Sequence, residues 1–134
     1  MSYSPDDYVR YRLNRAYEMI EDVKILIERK RWNTAGNRLY YACFYAVGAL
    51  LIKNDVVTST HGGVRRKFGE LFVHTGLISK DMAKLYTELF DNRQQGDYSD
   101  FYDLDEDTVS RFLQPSIDFI AEIEKLINPP VTAS

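Results

Sequence analysis

The chain of 134 residues has one cysteine, two histidines, one tryptophan, four prolines and no excess of positive charge. A lone cysteine cannot close an internal disulfide. Cys43 lies in an apolar stretch, where it reads as a small hydrophobe in a reducing compartment. The two histidines stand far from any Cys/His cluster, so no metal site is expected. There is no glycine-rich phosphate loop and no Gly-x-Ser-x-Gly, so no cofactor is expected either. With 17 basic against 20 acidic residues the balance does not announce a nucleic-acid binder, which leaves only a local basic patch for that role. The most apolar run is too short, and too rich in tyrosine, to span a bilayer comfortably. The N-terminus lacks a basic-then-apolar leader, so a cytoplasmic location away from membranes is expected.

What the chain does have is helical periodicity. In Ala35–Ile52, Leu39, Ala42, Cys43, Ala46, Ala49 and Leu50 recur at three- and four-residue steps, with Tyr40, Phe44, Val47 and Leu51 in a second row beside them. A helix apolar on most sides is buried against several neighbours, so this one is read as the centre of a bundle. Its opening, Asn37-Arg38-Leu39-Tyr40-Tyr41-Ala42, carries polar groups and hydroxyls that packing alone does not need. Gly36 and Gly48 are expected to let a neighbouring helix approach.

A first helix is expected from Ser4-Pro5-Asp6-Asp7, with a capping serine, an early proline and acids at the positive pole. Leu13, Ala16, Ile20, Val23 and Ile27 form its stripe, and it ends near Lys30 and Arg31. Trp32-Asn33-Thr34 reads as a connection, with Asn33 or Thr34 capping the central helix. Thr60-His61-Gly62-Gly63 opens a third helix through Val64, Phe68, Leu71 and Phe72, closed by Gly76. A fourth starts at Ser79-Lys80-Asp81, turns Met82, Leu85, Leu89 and Phe90 inward, and ends or distorts at Gly96. The last begins at Asp105-Glu106-Asp107 and buries Val109, Phe112, Leu113, Ile117, Ile120, Ile123 and Ile127, with a kink expected at Pro115. The fold class is all-α, an up-and-down bundle of four to five helices. Residues 1–128 form one domain and 129–134 a disordered tail.

Chemistry concentrates at Arg93-Gln94-Gln95-Gly96-Asp97-Tyr98. Arg93 can bind phosphate through its planar fork, oriented by Asp97 or Tyr98. On spacing alone, an i,i+4 ion pair between Arg93 and Asp97 is the simpler reading. Asn37, Arg38 and Tyr41 are candidates for the other wall of a polar pocket. His61, at a helix start, is a candidate general base or anion ligand, against a plain capping or packing role. Arg65, Arg66 and Lys67 make a small basic cluster that is solvated or touches phosphate.

Four segments in order, Arg38-Leu39-Tyr40-Tyr41-Ala42-Cys43-Phe44-Tyr45-Ala46, His61-Gly62, Phe72-Val73-His74-Thr75-Gly76-Leu77 and Arg93-Gln94-Gln95-Gly96-Asp97-Tyr98, resemble a HEPN domain. The match is to the small prokaryotic kind encoded beside a minimal nucleotidyltransferase. The resemblance implies a helical bundle that forms a homodimer with a cleft at its interface. Active members of the family are metal-independent ribonucleases, many of them toxins whose partner nucleotidyltransferase is the antitoxin. Their motif is an arginine followed about four to six residues on by a histidine. Arg93 matches the arginine, but Tyr98, Ser99 and Asp100 stand where the histidine belongs. Some members carry an adenylylated tyrosine two residues beyond the histidine. That position, counted from Tyr98, is Asp100. Tyrosine titrates near ~10 and is a poor base at neutral pH, so binding survives this departure better than cleavage does. The resemblance thus implies an RNA- or nucleotide-binding component of a toxin–antitoxin-like pair. Arg93 and Tyr98 take the catalytic places, and Asn37, Arg38, Tyr41, Asp97 and His61 take the binding ones. An active ribonuclease toxin and a purely structural interaction module are the alternatives.

Overall fold

The structure, a computed structural model, describes residues 2–98 and 102–129, with the side chain of Tyr98 left out. The tail expected to be disordered therefore lies, from residue 130, outside the described residues, as do Ser99 and Asp100. Five α-helices account for most of the described chain: α1 Pro5–Glu28, α2 Trp32–Lys53, α3 His61–Phe68, α4 Lys80–Tyr98 and α5 Glu106–Ile127. A single π-helical turn, Gly69–Val73, continues α3. The architecture is the all-α bundle that the periodicity predicts.

α2 is the hub and packs against α1, α3, α4 and α5. Eleven of its residues are buried, among them Leu39, Tyr40, Cys43, Ala46, Val47 and Leu50. Each large apolar side chain buried this way contributes about 1.5–3 kcal/mol. Ala35, Ala42, Gly48 and Ala49 take most of the remaining buried positions of α2.

α1 starts as its sequence predicts. Ser4 Oγ accepts the Asp7 amide at 3.2 Å, and Asp7 Oδ2 accepts the Ser4 amide at 2.9 Å, a closed capping box. Its charged residues form solvated i,i+3 pairs, Arg10–Asp7, Arg15–Glu18 and Lys24–Glu21, which add little stability. The α1–α2 link is tighter than expected, because α2 already begins at Trp32 and Lys30 takes a positive φ of 58° to make the turn. Neither Asn33 nor Thr34 caps α2; Arg31 is the N-cap and makes no side-chain cap bond. Asn33 reaches across the fold instead. Its Oδ1 accepts the Leu104 amide at 2.7 Å and its Nδ2 donates to Asp103 at 2.9 Å, which pins the segment leading into α5.

Several further expectations are corrected. Leu71 is 40 % exposed, because the π turn rotates it off the buried face while Phe72 stays inside. Met82 is only half-buried. Gly96 does not end α4, which runs on to Tyr98. The kink expected at Pro115 does not end α5, which is helical on both sides of it, and the proline lies on the exposed side, where solvent can satisfy the carbonyl that it leaves unpaired. Leu113 and Ile117 are half-buried, and Ser116 and Phe119 take places in the core. Neither Gly36 nor Gly48 receives a helix backbone. A Cβ at Gly36 would collide with Leu104, and one at Gly48 would lie 3.0 Å from Arg12 Nη1.

Candidate functional site

The site forms where α2, α3 and α4 meet, on the aromatic face near the start of α2. Tyr40 is fully buried, and its ring stacks on Tyr86 of α4 at 5.9 Å and meets Phe90 edge-on at 6.0 Å. Against its other side lies Arg93, with the guanidinium carbon 5.5 Å from the Tyr40 centroid and 5.7 Å from that of Tyr41. Cations held over aromatic faces in this way are attracted by the ring quadrupole, more strongly when desolvated.

Arg93 has a side-chain exposure of 15 % and Asp97 one of 42 %. Their Nε–Oδ2 separation of 3.2 Å is the i,i+4 ion pair expected from spacing. Distance and alignment disagree, however: the buried Nε–H makes no hydrogen bond of acceptable geometry. We take the pair as a Coulombic contact that leaves the fork's directional hydrogen bonding incompletely used. A single half-exposed carboxylate partly offsets an arginine that is mostly out of water, and such an arginine favours an anion.

Beside Arg93 opens a cavity of about 300 Å³ lined by Asn33, Asn37, Asn92, Arg93, Asp97 and Tyr102, with Gly36, Gly96, Thr34 and Leu104. Tyr102 donates its hydroxyl to Asn92 at 2.9 Å and so joins the α4–α5 connection to this wall. The structure thus brings Asn37, Arg93 and Asp97 to one cavity, with Tyr41 against the Arg93 guanidinium. Arg38 does not line it. Tyr98 belongs to the last turn of α4, and its side chain lies outside the described residues.

His61 arrives from the first turn of α3, held there by Thr60, whose hydroxyl accepts the Gly63 amide at 2.9 Å. Its ring stacks on Phe44 at 4.5 Å, and its Nδ1 lies 2.7 Å from the Tyr40 hydroxyl. Tyr41 is edge-on to it at 5.8 Å. Burial pushes the His61 pKa down, and the Arg93 charge lowers it further against a smaller opposing pull from Asp97. Burial likewise pushes the Tyr40 hydroxyl up to about 12. His61 also lines a second cavity, of about 480 Å³, with Arg12, Phe44, Tyr45, Gly48 and Thr58.

Sequence reasoning left two contributors out of the site. Tyr40 falls in a packing row by spacing and also in the α2 opening whose hydroxyls packing does not need, and its hydroxyl bonds His61. Arg65 was only one member of a basic cluster, yet its guanidinium stacks over Phe90 at 4.4 Å, close enough to the buried pair for its charge to pull the Tyr40 and Tyr86 pKa values down. The signal available for Tyr40 is its hydroxyl in the opening of α2, which packing alone does not need. For Arg65 no spacing rule marks it, since its partner Phe90 is on another helix. Among the described residues, no cluster of His, Cys, Asp and Glu is arranged to hold a metal.

A five-helix bundle with an arginine stacked on tyrosines beside a small polar cavity defines the class of protein. The HEPN domain family matches residues 9–126, and the chain belongs to that family. It is 38 % identical over 119 residues to a "UPF0332 protein" of Thermotoga maritima, an alignment covering 89 % of this chain and 90 % of that one. It is also 30 % identical over 112 residues, 84 % of this chain and 83 % of the other, to a Methanocaldococcus jannaschii protein named "Putative toxin". A second protein of that organism with the same designation is 24 % identical over 115 residues, 86 % of this chain and 78 % of its own.

Proposed function

We propose that this HEPN protein is the toxin-type component of a two-component pair and binds RNA or a nucleotide phosphate through Arg93, with a nucleotidyltransferase as its partner. The observation that carries this reading is the Arg93 guanidinium, mostly out of water and stacked on Tyr40 and Tyr41, at the edge of a cavity lined by asparagines. The planar fork suits phosphate, and Asn37 and Asn92 supply amides suited to sugar or base edges. Asp97 orients the arginine. The toxin designation of two relatives supports the two-component assignment. No helix is long and apolar enough to cross a membrane among the described residues. A homodimer is part of the proposal, supported by Tyr8, Tyr11 and Ile25, which α1 leaves exposed on its outer face.

The test is fluorescence anisotropy with a labelled single-stranded RNA, while light scattering on the same sample reads the oligomeric state. Loss of charge-assisted hydrogen bonds costs about 1.5–3 kcal/mol. Arg93→Ala should therefore weaken binding by roughly 10- to 150-fold and flatten its salt dependence. Equal binding by wild type and Arg93→Ala would overturn the assignment and favour an interaction module.

A further inference from the structure

Away from the Arg93 cavity, α1, α2 and α3 enclose a second one of about 480 Å³, and His61 lines this cavity and not the first. Its polar groups come from four places in the chain: Arg12 of α1, Tyr45 of α2, Thr58 and Ser59 of the α2–α3 loop, and His61 of α3. Among the described residues no carboxylate lines it. Its apolar wall is Phe44, Leu51, Ile52, Val56 and Val64. We propose that this cavity is a second binding site, for a small carboxylate with an aromatic body, whose charge meets Arg12 and whose ring lies against the apolar wall.

Arg12 is half-buried and has no acidic partner among the described residues. Arg10, Arg15 and Lys24 of the same helix each pair with an acid one turn away, so Arg12 is the contrast within α1. Its guanidinium carbon stands 5.8 Å from the Tyr45 ring centroid, near the outer limit of cation–π attraction. It also lies against Gly48, where a Cβ would come 3.0 Å from Nη1, so the glycine gives the fork its room. A planar guanidinium partly out of water and without a counter-charge suits a carboxylate, which it can hold by two parallel bonds.

His61 adds a donor to the same cavity. The buried Tyr86 hydroxyl points its proton towards the Tyr40 oxygen, off the ideal line, and pulls the Tyr40 pKa down against the larger effect of burial. The Tyr40 proton is then left for His61 Nδ1, 2.7 Å away. A neutral imidazole that accepts at Nδ1 carries its proton on Nε2, the ring nitrogen left for a ligand. Burial and the Arg93 charge hold the ring neutral against a smaller pull from Asp97, so it offers a hydrogen bond rather than a second charge. The Thr58 and Ser59 hydroxyls can rotate to donate as well.

The cavity thus combines one cation, several donors and a wall of hydrocarbon. One positive charge matches a monoanion better than a phosphate dianion, and the apolar wall calls for a body that leaves water readily. The volume falls within the range of about 300–1,000 Å³ usual for small-molecule sites.

The probe is phenylacetate, titrated into the full chain by calorimetry at constant ionic strength, with phenylacetamide and inorganic phosphate in parallel. Phenylacetate should saturate one site per chain, phenylacetamide should not bind, and phosphate should bind more weakly. Arg12→Ala should weaken phenylacetate binding by roughly 10- to 150-fold, the loss expected for charge-assisted hydrogen bonds. Gly48→Ala separates the site from the fold. Alanine suits a helix better than glycine does, and the added methyl meets the Arg12 side chain first, so the thermal midpoint should hold or rise while binding falls. In nitrogen-detected NMR, phenylacetate should move the His61 Nε2 resonance and leave that of the exposed His74 in place. Full affinity in Arg12→Ala, equal binding of phenylacetamide, or tighter binding of phosphate would each overturn the assignment. A neutral His61 protonated at Nδ1, or a folded wild type with no saturable binding in the millimolar range, would overturn it too. If Arg12→Ala fails to fold, undiminished binding by Gly48→Ala overturns it in its place.

Discussion

Tyr40 lies fully in the core, yet its hydroxyl faces His61 and its ring supports Arg93. Its packing and polar roles fall on one side chain, because a tyrosine offers an apolar body and a polar tip. Cys43, three residues on, is the contrast. Burial pushes its thiol up to about 12, against a smaller opposing pull from the Ser116 hydroxyl. A thiol so protonated is a poor nucleophile. Folded protein should leave an aromatic disulfide reagent unreacted for hours at pH 8, with the single thiol titrating only after denaturant is added. Rapid labelling of native protein would show that α2 opens. The Arg93–Asp97 pair was legible from spacing and Asn37 from residue type, whereas Arg38, equally polar, does not line the cavity. Tyr40 and Arg65 were not legible in that way, since their roles depend on rings contributed by other helices.

At the scale of elements, α3 matters more than its eight residues suggest, because it delivers His61 and Arg65 together. Its start is secured by the Thr60 side chain on the Gly63 amide. Replacing a threonine cap by alanine costs about 1 kcal/mol. Thr60→Ala should lower the thermal midpoint by roughly 3–6 °C and weaken RNA binding, whereas Thr60→Ser should restore both; calorimetry beside anisotropy checks the pair. A weaker midpoint with unchanged binding would separate α3 from the site. α5 begins on a different cap. Asp105 accepts the Thr108 amide at 2.8 Å, and bonds from the Thr108 side chain and backbone hold its carboxyl below the ordinary 3.8. A depressed carboxyl contributes stability above its unfolded value, lost as pH falls through the lower folded one. Asp105→Asn keeps a capping oxygen, so urea denaturation should show nearly unchanged stability at pH 7 and a shallower decline below about pH 4. An identical acid slope in the variant would mean that Asp105 is not part of the acid transition.

At the scale of the whole molecule, helix number, the stripe positions and the centrality of α2 followed from periodicity, because the pattern of apolar residues records which face each helix must bury. The serine cap of α1 and the start of α3 followed likewise, since a cap is settled within four residues of chain. What the amino-acid order left open is whatever depends on a second element. Asn33 had the composition of a local cap and instead bonds Asp103 and Leu104, some seventy residues away in the chain. His61 reads from the sequence more simply as a capping or packing residue than as a site residue, and only the packing of α3 on α2 sets its Nδ1 against Tyr40. Local propensity determines where helices begin and which side they bury. The meeting of Arg93, His61 and Tyr40 is set by the crossing of three helices, and that geometry comes from the packing of side chains distant in sequence.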